Sequence, residues 1–214
     1  LESAIDCIPE TNPLLKDLLL EYVAPDGSLR YDEFDICDLV EALNRTDIDC
    51  ILMNFNRQTG YGKEDPIVYF YEKFLDIYEH EEKKRRGVYY TPTPAVNFIV
   101  RSISYILKTK FNCHDGFLDD SVSILDPATG TGTFLRSIIL DVFSEYKKAH
   151  ALQGWNAFVK NNLLTRLYGF EFMMAPYAVA HMKLAMTLKD TGYVFEPNHR
   201  LQVYLANALE NGDN

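Results

Sequence analysis

What this chain lacks excludes several kinds of chemistry. Its 214 residues hold four cysteines, Cys7, Cys37, Cys50 and Cys113, and no C-x-x-C pair. That spacing indicates neither a zinc site nor a redox dithiol. Scattered thiols fit a reducing compartment, so a cytoplasmic setting is expected. The five histidines, His80, His114, His150, His181 and His199, show no metal-ligand spacing. No apolar run approaches the ~20 residues that span a bilayer, and no membrane partner is expected. Residues 1–25 lack the basic start and apolar core of a secretory signal. There is no internal repeat and no low-complexity tract. The chain opens on Leu1 rather than Met, so a piece of a longer protein is expected.

Positive charge is also scarce. The 21 Lys and Arg against 31 Asp and Glu leave a net charge of −10. Nucleic-acid binding usually leaves a basic footprint, so an acidic chain grips such a polymer weakly by itself. The local exception is Lys83-Lys84-Arg85-Arg86, after Glu79-His80-Glu81-Glu82. A solvated helix end accounts for it more simply than a phosphate contact.

Residues 13–24 and 32–45 read as helices, with stripes of Leu14, Leu15, Leu18, Leu19 and Tyr22, then Phe34, Leu39, Val40 and Leu43. A calcium loop around Asp26-Gly27-Ser28 fails. With Gly27 in sixth place, Tyr22 and Ala24 fall where carboxylates are required. Asp65-Pro66 starts a long helix that ends at Gly87, and Thr93-Pro94 starts another. On the latter, Val96, Ile99, Val100, Ile103 and Leu107 share a face. From Val122 the texture alternates. Strands are expected at 122–126, 166–170 and 201–205, and helices at 133–149, 155–164 and 175–190. Such a βαβαβ order implies a parallel sheet with right-handed crossovers.

The most telling stretch is Ile124 to Leu135, ILDPATGTGTFL. It reads as a strand ending in Asp126, a tight turn, and a helix opening near Thr133. Gly130-x-Gly132 lets backbone approach a ligand, and the helix N-terminus offers unpaired N–H groups. A dinucleotide fingerprint needs a third glycine, and position 135 is Leu; a phosphate loop needs a Gly-Lys pair that is missing. The second strand ends at Glu171. An acid at this tip can accept from two ribose hydroxyls, although its interval from Asp126 exceeds the ~20 residues of a compact dinucleotide site. The extra helix near Trp155 accounts for the length. Asn207, after the third strand, either pairs with an adenine edge or caps a turn. On the helix after Glu171, Ala178, Ala180 and Ala185 allow close packing on the sheet. Met182, Leu184 and Met186 are expected in the core, and His181 reads as a structural histidine.

The order GVYYTP, DPATGTGTFL, YGFEFMMAPYAVAHMKL and YLANALE resembles the adenine-N6 methyltransferase region of large bacterial single-chain restriction–modification enzymes. The resemblance implies S-adenosyl-L-methionine as cofactor and DNA as the partner of the intact protein. It implies an α/β fold, a partial Rossmann-like S-adenosylmethionine-dependent methyltransferase sheet preceded by a helical subdomain. Residues 1–85 would be that helical lead-in, and 86–214 the cofactor-binding half of the methyltransferase domain. By resemblance, Tyr90, Thr91 and Pro92 go to the methionine end of the cofactor. Asp126, Ala128, Gly130, Gly132 and Phe134 go to the cradle, Glu171 and Phe172 to ribose and adenine, and Asn207 to adenine.

The family's catalytic tetrapeptide, Asn/Asp-Pro-Pro-Tyr/Phe, does not occur between Leu1 and Asn214. It is expected to lie beyond Asn214 in a longer protein. In the family it accepts from the target amino group and stacks on the flipped base. No catalytic residue is therefore assigned, and the chain itself is expected to be silent. The fourth strand that normally flanks the first is not in the sequence either, so self-association of the sheet is expected. Rival readings are an amino-methyltransferase for RNA or protein, and a cofactor-binding module without catalysis. A nicotinamide enzyme is disfavoured by Leu135.

Overall fold

The computed structural model describes residues 45–47, 91–196 and 199–209. The helices expected over 13–24 and from Asp65 to Gly87 lie outside those residues, as does the one over 32–45 apart from Arg45, which is in a turn. The basic cluster Lys83–Arg86 and Tyr90 are outside them too. So is Asn214, the residue after which the catalytic tetrapeptide is expected, and the structure does not bear on that expectation. The chain divides into two compact units, residues 1–8 with 13–93 and residues 9–12 with 94–214. The elements from Pro94 onward belong to the second unit.

Helix α1 spans Thr93–Lys110, with Pro94 in its first turn, where a missing N–H costs nothing. Val96 and Val100 are buried, and Leu107 packs on the core. Ile99 and Ile103 are exposed instead of sharing that face. The stripe expected from sequence therefore splits, because only the 96–100–107 side meets the rest of the unit. Strand β1 is Ile124–Asp126, shorter at its start than expected. Helix α2 follows at Thr133–His150. The helix expected over 155–164 is broken into α3 (Trp155–Phe158), a π-helical segment (Val159–Leu163) and α4 (Leu164–Arg166). Strand β2 is Leu167–Glu171, helix α5 Met174–Asp190, and strand β3 Gln202–Leu205.

The sheet is parallel in the order β1-β2-β3, with Asp126 opposite Gly169 and Glu171 opposite Leu205. Right-handed crossovers taken twice in one direction put α2 and α5 on the same face. That face holds Ile124, Leu167, Gly169, Leu201 and Val203, all buried. Leu135, Ile139 and Val142 of α2 and Leu184 and Leu188 of α5 close over it and are inaccessible to solvent. Each such side chain contributes about 1.5–3 kcal/mol by leaving water. The other face carries Leu125, Tyr168, Phe170 and Tyr204. Leu125 is 55% exposed and Tyr204 is exposed, with the Phe170 and Tyr204 rings 6.1 Å apart.

Helix α5 corrects one expectation. Leu184 is in the core, but Met182 and Met186 are exposed. At 3.6 residues per turn, the inward stripe runs through Tyr177, Ala180, His181, Leu184 and Leu188, and the two methionines fall on its back. His181 Nε2 lies 3.0 Å from the Val203 carbonyl oxygen, which can only accept, so Nε2 carries the proton. Ala206 N–H donates to the Glu171 carbonyl, which fixes the alternation of the β2–β3 ladder. By that alternation the Val203 carbonyl faces away from β2. His181 thus caps a carbonyl on the outer edge of β3. Burial lowers its pKa, while the bond to Val203 opposes that. Its Nδ1 is buried without a hydrogen-bond partner.

Candidate functional site

The turn between β1 and α2 is pinned by β2 and α5 from below and behind. Thr129 is buried, its N–H donates to the Phe170 carbonyl at 2.9 Å, and its hydroxyl donates to the Asp126 carbonyl at 3.1 Å. Gly132 N–H returns to the Thr129 carbonyl at 2.8 Å. Gly132 has φ +80°, a left-handed backbone that favours glycine. A Cβ there would also lie 3.3 Å from Ala180 Cβ and 3.4 Å from Leu184 Cγ of α5. Gly130, at φ +55°, differs in that nothing lies within 4 Å of its Cβ direction. Gly132 therefore serves packing, and Gly130 leaves the turn open on one side.

Gly169 closes the turn from the sheet side. A Cβ on it would collide with Thr129 Oγ1 and fall 3.0 Å from Leu135 Cδ1. Thr129 cannot yield cheaply, because its hydroxyl is bonded to Asp126. We expect Gly169→Ala to cost about 2 kcal/mol, in the range for overpacking a filled core. In a Thr129→Ala background the cost should fall by more than half. Urea unfolding of the three variants and the unsubstituted chain checks this, and strictly additive costs would rule out the contact.

Two carboxylates meet at the turn. Glu171 Oε2 accepts from Gly130 N–H at 2.7 Å, and Oε1 accepts from Met173 N–H at 2.8 Å. Asp126 Oδ1 accepts from Ala128 N–H at 3.2 Å. Asp126 Oδ2 is buried, and no donor among the described residues reaches it. Burial raises the Asp126 pKa; the Ala128 N–H opposes the rise and the Glu171 charge adds to it. A carboxylate held this way gains from a donor or a cation brought to its empty oxygen. The turn is thus acceptor-rich, and a ligand bearing hydroxyl or ammonium groups would complement it.

The structure brings Asp126, Ala128, Gly130, Gly132, Phe134 and Glu171 together at the carboxyl end of the parallel strands. Phe134 is half-buried and packs on the core, whereas Phe172 is 66% exposed. Ala206 N–H donates to the Glu171 carbonyl, so Asn207 follows β3 at the same end of the sheet. Asn207 Oδ1 accepts from Leu209 N–H at 3.1 Å, which is the turn-capping role. Thr91 is half-buried and Pro92 exposed, both in the first unit. Sequence reasoning missed Thr129, Gly169 and Lys183. A lone glycine inside a strand is a signal for close backbone approach, and a lysine within the Ala180–Leu184 stripe was legible as an anomaly.

A strand, a Pro-Ala-Thr-Gly-Thr-Gly turn and a helix, with an acid at the next strand tip, set the chain beside known proteins. The N-6 DNA methylase family profile matches residues 62–212. The chain belongs to the N-6 DNA methylase family. A putative type II restriction enzyme and methyltransferase of Methanocaldococcus jannaschii is 25% identical over 207 residues, covering 72% of this chain and 18% of that protein. Two solved structures are similar. One is a cryo-EM structure of a DrdV–DNA complex, 25% identical with a TM-score of 0.50, covering 66% of this chain and 12% of that one. The other is the ATP-dependent Type ISP restriction-modification enzyme LlaBIII bound to DNA, 26% identical with a TM-score of 0.51, covering 65% and 9%. This N-6 DNA methylase chain therefore spans less than a fifth of the length of each of these relatives. The family match bears out the methyltransferase resemblance read from the motifs, and the strands form the partial parallel sheet expected. Among the described residues no helix of this N-6 DNA methylase is long and apolar enough to cross a membrane.

Proposed function

We propose that this chain is the methyl-donor-binding half of a DNA adenine-N6 methyltransferase from a restriction–modification system, with S-adenosyl-L-methionine as its cofactor. The observation that carries the reading is the acceptor-rich open turn. Asp126 keeps a buried oxygen without a donor, and nothing lies within 4 Å of the Cβ direction of Gly130. The residues present fit the cofactor, whose amino-acid end and ribose hydroxyls bring donors. When bound, it supplies a methyl group activated on a sulfonium. Asp126, Ala128, Gly130, Gly132 and Phe134 form its cradle. Glu171 accepts from the ribose, Phe172 lies along the adenine, and Asn207, its Oδ1 held by Leu209 N–H, offers its amide NH₂ to the adenine edge. Tyr90, Thr91 and Pro92 cover the methionine end. The helical lead-in is 1–85 and the methyltransferase part 86–214. The chain alone, which carries no Asn/Asp-Pro-Pro-Tyr/Phe segment, is silent, and the intact protein acts on DNA in the cytoplasm. The DNA-bound state of both structural relatives supports that partner.

Calorimetric titration of the 214-residue chain with S-adenosylhomocysteine, with NADH as control, tests the cofactor. Saturable binding of the former alone is expected. Binding of NADH alone would turn the reading to nicotinamide chemistry, and binding of neither by a folded chain would overturn the cradle. Leu125, exposed on the β1 side of the sheet, supports the further reading that isolated chains self-associate. Sedimentation at rising concentration should show a growing dimer fraction, and a strict monomer at high concentration removes that reading.

A further inference from the structure

We propose that Lys183 is a positioning residue for the Gly130–Thr133 turn, acting on cofactor affinity through the Thr133 hydroxyl rather than by touching the cofactor. The inference rests on the reading of that turn as the cofactor cradle.

Lys183 lies on the inward side of α5 between Ala180 and Leu184, and only 2% of it is exposed. Burying an ammonium is costly, and an apolar side chain of similar length would fill such a position at lower cost. A lysine there calls for a use for its amine. Its Nζ donates to Thr133 Oγ1 at 3.0 Å. Thr133 is the first residue of α2 and follows Gly132 directly.

Direction follows from chemistry. An ammonium has donors and no acceptor, so Thr133 must accept, and its own hydroxyl proton turns away from the lysine. A group within its reach is Thr131 Oγ1, 3.5 Å from Thr133 Oγ1 and set between the two glycines. Lys183 thereby orders two hydroxyls along the turn. Without it, a threonine hydroxyl in a first helical turn is free to bond nearby backbone. Ala180, about one turn of α5 before Lys183, and Leu184, directly after it, bound the space at Gly132. The same face of α5 thus sets both the height of the turn and the orientation of its hydroxyls.

A purely structural lysine and a positioning lysine differ in what they move. Lys183→Met keeps the length and removes the amine: a structural role lowers only the thermal midpoint without ligand, whereas a positioning role lowers affinity in a chain that is still folded. S-adenosylhomocysteine affinity of the same variant should fall about tenfold, the scale of one charge-assisted hydrogen bond. Thr133→Val should lose a similar factor, the double variant no more than the worse single one, and Thr133→Ser should stay within about twofold of the unsubstituted chain. Calorimetry on the full 214-residue chain reads all four. If Lys183→Met does not fold, Thr133→Val against Thr133→Ser carries the test, and equal loss in both overturns the proposal. Unchanged affinity in Lys183→Met, or losses that multiply in the double variant, also overturn it. Failure of the unsubstituted chain to bind overturns the cradle reading and this inference with it, whereas binding with an indifferent Lys183→Met overturns the inference alone.

Discussion

Replacing Glu171 with alanine is expected to weaken S-adenosylhomocysteine binding by about 100-fold. One carboxylate holds two backbone N–H groups, Gly130 at 2.7 Å on the turn and Met173 at 2.8 Å ahead of α5. Charge-assisted bonds of this kind are about twice as strong as neutral ones. Removal leaves both donors without the acceptor and lets the turn relax away from β2. It also removes the acceptor assigned to the ribose hydroxyls. Two bonds to a charged group, at roughly 1.5–3 kcal/mol each, would exceed a 100-fold loss if the free turn did not recover part of it by hydration. Glu171→Gln discriminates further. Its amide offers one acceptor oxygen, and its NH₂ would face one of the two N–H donors. It should therefore behave like alanine despite its shape. Calorimetry on the three proteins reads the result. Full affinity in Glu171→Gln would mean that the carboxylate charge plays no part.

The second large effect concerns stability. Arg166→Met should lower the unfolding free energy by about 4 kcal/mol, measured by urea titration. Arg166 is buried on α4. Its Nη1 donates to the Val122 carbonyl at 2.6 Å and its Nη2 to the Phe117 carbonyl at 2.7 Å, and its Nε donates to Asn162 Oδ1 at 2.6 Å. The guanidinium thus ties the loop that leads into β1 to the turn that leads into β2. Each buried acceptor left without a donor costs about 1–3 kcal/mol. Arg166→Lys should recover only part, because one ammonium cannot span the fork of acceptors. A loss under about 1 kcal/mol for Arg166→Met would mean that water replaces the guanidinium and that the staple is dispensable.

The two effects differ in how visible they were beforehand. Glu171 was legible because it follows an apolar strand and precedes a helix, a position that puts an acid at a parallel strand tip. Its bond to Gly130 was not, since the two residues are 41 positions apart. Arg166 gave no signal at all: apart from Asn162 on the preceding turn, its acceptors are backbone carbonyls, which every sequence has. Helix α5 shows the same division. Its existence followed from composition, but the outward placement of Met182 and Met186 depended on the roll of the helix against the sheet. The break of the 155–164 helix into a π-helical segment likewise had no local cue. It lies where Trp155 and Phe158 pack around Tyr146, with ring centroids 5.1 and 4.8 Å from it.

The sequence by itself determined the strand–turn–helix at 124–135, the parallel βαβαβ order and the family. These rest on backbone preferences and periodicities that act over a few residues: glycine in a left-handed turn, proline where no N–H is needed, and apolar alternation. The tertiary structure alone decided which glycine packs and which leaves space, that Asp126 keeps an oxygen without a donor, and that Lys183 reaches Thr133 across 50 residues. Those depend on how helices cross the sheet, a geometry set by the whole core at once rather than by any local stretch of chain.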